Sequence, residues 1–418
     1  MILCGDWSPG ACSVRINFDS KLKLGQGLYI ANLEGPILTK DHDLVARPKA
    51  GPVLFSSQLP ENPEKFVFSL ANNHLMDYNF PGLASTLCLM HEQGCRSCGA
   101  GIDENSARNP IVVDDNGIQV GIVSCCEAQF GVSRNNSAGV AEFGPWVYRS
   151  ISDLLQIVEI VIVSIHAGVE DSPWPSPYIQ NLYRSFIDAG ATVVHGHHAH
   201  VPQGYEEYGK GVIFYGMGNF AVDPDKWCSE PNTLWSLAAE LDFGSHPLRW
   251  KPLTLEIRHE PGSGLILIEE SNSDELVSRK HYLDRCNRPF DEPNLFAGLW
   301  QEVAIRAYHH YGAKYMKLDH VRPTGWDKAL RQRLANIKRI ILNRKRLPSP
   351  TFPSQSDYLL WHVMIACESH RQMLATALGI LGGEINDVRT EETRRMADEM
   401  IPWPVNGDIR SIYGGAGP

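Results

Sequence analysis

Six apolar, β-branched runs of strand length recur through the first part of the chain, and each stops on polar residues or glycine. They are GLYIAN (27–32), KFVFSLAN (65–72), IQVGIVSC (118–125), EIVIVSIHAG (159–168), ATVVHG (191–196) and GVIFYGMGN (211–219). Between several of them lie helical patterns, FPGLASTLCLMHEQG (80–94) and SPYIQNLYRSFIDAG (176–190), each closed by glycine. Strands that alternate with helices predict α/β layering, in which the strand C-termini gather functional loops along one edge. Two further strands, LWSLAAELDF (234–243) and SGLILIEES (263–271), suit antiparallel pairing.

From about Asp274 onward the chain turns helix-rich and more charged, with proline clusters at 348–353 and 402–404. The expected organisation is therefore residues 1–272 as one α/β domain and 273–418 as a helix-rich extension. The 418 residues suit one large domain plus an appendage, and the net charge of −10 argues against a general nucleic-acid binder. The opening MILCGDWSPG has no basic n-region, apolar h-region or cleavage site, so no signal peptide is visible and a soluble, cytoplasmic chain is expected. The most apolar run, LLQIVEIVIVSI (154–165), is too short to span a bilayer and carries Gln156 and Glu159. Ten scattered cysteines fit reduced thiols, and the lone C-x-x-C at Cys95 and Cys98 lacks a partner at zinc-site spacing.

The strand ends carry the chemistry. Asp6 ends the first strand, Glu34 follows the next, and Asn73 and His74 follow the third. His166 comes later in SIHAGVE; then four histidines, His195, His197, His198 and His200, crowd six residues, and Asn219 ends GVIFYGMGN. Taken singly, each has a bland reading: a turn aspartate, a loop, an interior histidine. His195, inside the strand pattern, keeps that reading. Jointly, hard oxygens and imidazoles at successive strand ends form the donor mixture that suits a pair of Mn, Fe or Zn ions. Such a pair clamps both oxygens of a displacement.

These residues resemble the CapA family, the poly-γ-glutamate capsule biosynthesis proteins of the calcineurin-like metallophosphoesterase superfamily. The matching segments are Gly5-Asp6, ANLEGPI (31–37), SLANNHLMDY (69–78), GAG (99–101), HAGVE (166–170), GHHAHVPQGYE (196–206) and YGMGNF (215–220). The resemblance implies a four-layer αββα sandwich of the metallophosphoesterase type. It implies Asp6, Glu34 and His200 around one divalent ion and Glu34, Asn73, His166 and His198 around a second, with Glu34 bridging. His74 matches the superfamily's non-ligand histidine that contacts substrate, with Asp77 orienting it. Glu170, Gln203 and Asn219 match positions of supporting or substrate contacts. His197 is an extra residue against the superfamily's Gly-His-x-His; the His198/His200 pair keeps the family's x-H-[PA]-H-V pattern, which leaves His197 as a supporting or substrate contact. Two departures stand out. Asp6 is followed by Trp7 and Ser8 and not by Asp-x-His, so one ion has fewer protein ligands and binds more weakly. Ala167 replaces the tryptophan of the family's usual His-Trp-Gly.

The function implied is a metal-dependent hydrolase, cleaving a phosphoester through a metal-activated hydroxide in capsule or surface-polymer formation. A metal-dependent γ-glutamyl amide hydrolase and a non-catalytic polymer-binding or scaffold protein are the alternatives. Each takes an anionic small-molecule or polymer partner. Outside the matched part, DKALRQRLANIKRIILNRKRL (327–347) holds eight Lys or Arg against one Asp, with Leu330, Leu334, Ile337 and Ile341 on one helical face. Such a helix can touch an anionic membrane surface, attract an anionic substrate, or simply pack with a solvated basic face. The cluster YHHYGAKY (308–315) reads as helix packing or as a substrate wall.

Overall fold

The computed structural model describes residues 1–17, 27–38, 44–49, 51–227, 232–245, 248–260, 262–312 and 355–403. The basic stretch 327–347, the proline-rich stretch 348–353 and the end of the YHHYGAKY cluster lie outside the described residues. One sheet runs in the order Ser13–Asn17, Leu265–Glu270, Arg249–His259, Trp235–Asp242, Ile2–Ser8, Tyr29–Leu33, Phe66–Ser69 and Arg96–Cys98, with Asn219–Val222 also paired to Ile2–Ser8. The other runs Pro202–Tyr208, Gly211–Met217, Val193–His197, Ile160–His166, Ile118–Cys126 and Ile111–Asp115. Each contains a parallel block, 2–8 with 29–33, 66–69 and 96–98 in one, and 118–126 with 160–166, 193–197 and 211–217 in the other.

The two sheets face each other because successive strand side chains point to opposite faces. Leu3, Ile30 and Val67 of the first sheet share one buried cluster with Ile122, Ile162, Val193 and Phe214 of the second. Their sequence neighbours point outward, where Phe66 and Phe68 share a cluster with Leu83 and Met90 of helix Asn79–Glu92. Val161, Val163 and Ile165 likewise meet Ile179, Leu182 and Phe186 of helix Pro177–Asp188. The order is helix, sheet, sheet, helix. That last helix starts where Ser176 Oγ accepts the Ile179 N–H at 3.1 Å, with Pro177 in its first turn. Its fully buried side chains each contribute roughly 2 kcal/mol of apolar burial.

Register then aligns the strand ends. Asp6 pairs with both Asn32 and Asn219, and His166 pairs with His197. Two glycines allow the backbone to pass this closely. A methyl group on Gly5 would stand 1.9 Å from Gly218 O, and one on Gly196 would stand 2.1 Å from Tyr215 O.

After Leu265–Glu270 the described elements are helical. Helix Pro293–Ala307 is buried along most of its length, in a cluster with Met373, Leu374, Ala377, Met396 and Met400 from helices Glu368–Gly382 and Glu391–Met400. Val169 and Trp174, from the loop after His166, join the same cluster. Polar ties fix this layer to the sheets. Tyr205 N donates to Asn287 Oδ1 at 2.8 Å, and the two oxygens of the buried Glu127 accept from Ser369 N at 3.0 Å and Gly168 N at 3.1 Å. Among the described residues, no helix is long and apolar enough to cross a membrane.

Replacing Gly5 or Gly196 by alanine should push strands apart and cost at least about 2 kcal/mol of unfolding free energy, read as a lower urea midpoint. Gly382→Ala, where nothing lies within 4 Å of the added methyl, should cost nothing.

Candidate metal centre

Glu34 occupies the meeting point of the two sheets. It is 0% exposed, and neither carboxylate oxygen has a hydrogen-bond donor. Its Oε1 lies 3.6 Å from His200 Nε2, 3.7 Å from His166 Nε2 and 3.9 Å from His74 Nε2. These separations exceed hydrogen-bond length. They are close to the roughly 3–3.5 Å expected between two ligands that each stand about 2.1 Å from one ion.

Three donor sets converge here, Asp6 with Glu34 and His200, Glu34 with His166 and His198, and Glu170 with His198 and His200, the ligand atoms of each lying within 4.8 Å of one another. Asn73 Oδ1 stands 3.0 Å from His166 Nε2 and adds an amide oxygen. All are buried except Glu170, which sits exposed at the rim. Asp6, Glu34, Asn73, His166, His198 and His200, expected as ligands from widely separated segments, are thus brought to one place. Carboxylate, amide and imidazole donors suit a divalent cation, and the two unmet Glu34 oxygens are atoms such a cation would satisfy. The fit is good.

Neighbours hold these donors. Asn219 Nδ2 donates to Thr233 O at 3.0 Å, which fixes its amide and leaves Oδ1 to accept from His200 Nδ1 at 3.0 Å. His200 Nε2 is therefore the lone-pair nitrogen, and it faces Glu34. His197 Nδ1 lies 2.9 Å from Asp6 Oδ1, so the extra histidine of the cluster supports a carboxylate. His195 is interior, with Nε2 donating to Cys4 O at 2.8 Å. Gln203 turns elsewhere, its amide donating to Ser172 O at 2.9 Å. His198 and His200 take left-handed backbone conformations, φ 89° and 58°. Such strain costs of order 1–3 kcal/mol per residue and tends to be kept at functional sites.

The electrostatics describe a site short of positive charge. Burial raises Glu34 to about 8, with the Asp6 charge adding to the effect and His200 opposing it. Burial alone would lower His200, but the Glu34 and Asp6 charges outweigh it and raise the ring. Burial also lowers His198 to about 3, leaving that ring neutral and available as a ligand.

Beside this cluster stands a second one. His74 Nδ1 lies 2.8 Å from Asp77 Oδ2, as expected for an oriented ring. Sequence reasoning missed the third member, Lys49. Its side chain is only 2% exposed, and Nζ donates to Asp77 Oδ1 at 2.7 Å and reaches His74 Nδ1 at 3.0 Å. Burial and the Lys49 charge lower His74 to about 4, so the ring is neutral at pH 7. Asn32, also unassigned from sequence, donates to Asp6 Oδ1 at 2.9 Å and accepts from Asn72 at 3.0 Å. Gln129 was missed too; its side-chain amide lies 3.1 Å from His198 Nε2.

Residues 20–224 match the family model of the bacterial capsule synthesis protein PGA_cap. The chain is 32% identical over 164 residues to the capsule biosynthesis protein CapA of Bacillus anthracis, covering 38% of this chain and 40% of that protein. It is 33% identical over 161 residues to the PGA biosynthesis protein CapA of Bacillus subtilis (strain 168), covering 38% and 42%. A probable polyglutamine synthesis accessory protein of Mycobacterium tuberculosis is 32% identical over 171 residues, covering 38% and 45%. The matched stretch thus spans less than half the length of these relatives. The resemblance to the CapA proteins holds on sequence over that stretch. Among solved structures, a 5'-nucleotidase from Candida albicans matches at 11% identity and TM-score 0.34, covering 63% of this chain and 50% of that one. A 5'-nucleotidase precursor from Thermus thermophilus matches at 14% and 0.29, covering 54% and 43%.

Lys49→Met should leave the Asp77 carboxylate buried without its cation and lower unfolding free energy by about 3 kcal/mol in urea titration. The double variant Lys49→Met with Asp77→Asn should lose less than the two single losses added together.

Proposed function

We propose that this chain is a divalent-metal-dependent hydrolase that cleaves a phosphoester during the formation of a capsule-type or surface polymer. The observation that carries the reading is Glu34, a buried carboxylate without hydrogen-bond donors that lies between two sets of imidazole and carboxylate ligands. Asp6, Glu34 and His200 would hold one ion, and Glu34, Asn73, His166 and His198 the other. Divalent ions there would polarise the phosphoryl oxygens and acidify a water molecule.

The chain's own residues do the rest. Asn219 and His197 keep His200 and Asp6 aimed inward, so the ligand geometry exists before substrate arrives. His74 directs Nε2 towards the same space as Glu34. With Asp77 Oδ2 accepting the Nδ1 proton at 2.8 Å, the ring presents Nε2 to that space, and a proton taken up there can pass to the departing alkoxide oxygen. Asp77 holds Lys49 and the ring in that relation, its other support being the Leu54 N–H at 2.9 Å. The deep side of the site is built from buried residues, which strengthens each of these interactions by excluding water.

A second reading has its own support. The Mycobacterium tuberculosis relative is named a synthesis accessory protein. On that reading, the same centre binds a polyanionic chain, or cleaves its γ-glutamyl amide linkages, without acting on phosphorus.

Adding Mn2+ to metal-free protein should raise the unfolding midpoint, by the equivalent of about 2.7 kcal/mol at a hundredfold excess over Kd, and should do so far less in Glu34→Gln. A panel of phosphomonoesters, phosphodiesters and γ-glutamyl amides then separates the readings. Phosphoester turnover that falls at least about 100-fold in His74→Ala, with the Mn2+ stabilisation retained, is the expected result. Stabilisation by Mn2+ without turnover of any class would instead favour the binding role.

A further inference from the structure

Next to the candidate centre lies a cavity of about 260 Å3, and its two sides come from opposite parts of the chain. Lys49, Asn73 and His74 line it, and His74 Nε2 stands 3.9 Å from Glu34 Oε1, so it adjoins the candidate centre. The opposite wall comes from the helical region. Leu360, Val363 and Met364 of helix Gln355–Ala366 stand there, together with Trp403.

That wall is apolar and fixed. Phe130, which follows the strand Ile118–Cys126, shares a buried cluster with Val363 and Cys367. Trp403 is stacked on His310, with ring centroids 5.8 Å apart and an interplanar angle of 21°. The Glu127 carboxylate binds the N–H of Ser369, in the helix after this wall, and the N–H of Gly168, two residues after His166. One buried acid thus sets the distance between the helical wall and a candidate ligand strand. Cys367 Sγ, 3.5 Å from the same carboxylate, reinforces the link.

Size and chemistry then select the occupant. Small-molecule sites run from about 300 Å3 upward, so this cavity takes a phosphate and about one ring and not much more. Phe130, Val363, Met364 and Trp403 supply an apolar share of the lining, beside which stand the polar side chains Lys49, Glu170, Asp171 and His370, the Lys49 ammonium 5.1 Å from the Phe130 ring centroid. Aromatic and thioether side chains reward a flat apolar group.

We propose that the C-terminal helices build the specificity pocket of this centre, and that its substrate is a small phosphomonoester whose alcohol part carries an apolar, ring-sized group packed between Phe130, Met364 and Trp403. The inference rests on the phosphoester reading above and narrows it to a low-molecular-weight ester.

Binding, not turnover, tests it. Phenylphosphonate and methylphosphonate resist hydrolysis at the carbon–phosphorus bond, and each can be titrated calorimetrically into the full chain with Mn2+ present. The expected result is at least tenfold tighter binding of phenylphosphonate, with that ratio reduced at least fivefold in Met364→Gln and in Trp403→Leu. Equal affinities in the unsubstituted protein, no binding of either phosphonate, or a ratio unchanged in folded variants would each overturn the pocket. Should a variant fail to fold, the ratio in the unsubstituted protein decides. The two readings fail separately. Preferential phenylphosphonate binding without turnover of any phosphoester removes the hydrolase and keeps the pocket. Equal phosphonate affinities with turnover of both phenyl and methyl phosphate do the opposite.

Discussion

The structure is organised around a carboxylate that its own protein leaves unsatisfied. Burying an ionised carboxylate without donors is among the costliest things a fold can do, and such a group ordinarily takes up a proton or finds a partner. Glu34 has two imidazole nitrogens, of His200 and His166, 3.6 and 3.7 Å away, too far to hydrogen-bond and well placed to share a cation. The interior could have met this cost with one serine or one backbone N–H. Instead, the nearby amides hold the other ligands, Asn32 donating to Asp6 and Asn219 accepting from His200. The cost is tolerable because the stability of the two-sheet core lies elsewhere, in alternating apolar faces that do not depend on the site.

Convergence follows from register. A parallel sheet puts the C-terminal ends of its strands on one edge, and two such blocks face to face bring two edges together. Asp6 lies beside Asn32 and Asn219, and His166 beside His197. A slip of one residue in either block would turn a ligand to the opposite face. Gly5 and Gly196, each one residue before a strand-end donor, are the points where backbones pass too closely for any side chain. Packing, register and ligand placement are therefore one constraint seen at three scales.

The donors were legible in the sequence because they follow apolar runs, although Asp6, read as ending its strand, lies two residues inside Ile2–Ser8, and Asn219, read as ending Gly211–Met217, opens Asn219–Val222. The central strands and helices Asn79–Glu92 and Pro177–Asp188 were legible for the same reason. Strand Arg249–His259 was not, because it carries Pro252 and a polar outer half, as an antiparallel strand away from the parallel block can. Lys49 sits in a loop without periodicity, and its partner Asp77 is 28 residues away, so nothing local distinguishes it from a surface lysine. His197 illustrates a different limit. Its spacing fits a ligand as well as a supporting residue, and only the left-handed turn at His198 and His200 decides which rings face Glu34.

The helical region shows why a stretch that carries the ligands is not a whole site. Residues 20–224 contain nearly all of the candidate donors, yet they do not supply the whole lining of the cavity beside His74. The opposite side is supplied from beyond residue 355, through contacts that span some 240 positions, such as Glu127 with Ser369. Long-range closure of this kind is entropically cheap once both layers fold on their own hydrophobic clusters, since loop-closure cost grows only with the logarithm of length. It also separates two demands. On the proposed reading, the centre, positioned by sheet register, would set which bond is polarised, and the helices, tied to the sheets at Glu127 and Asn287, would set what is attached to it. Side chains in the helical wall can therefore change without disturbing a ligand, which makes that wall the part of the site where selectivity is free to vary.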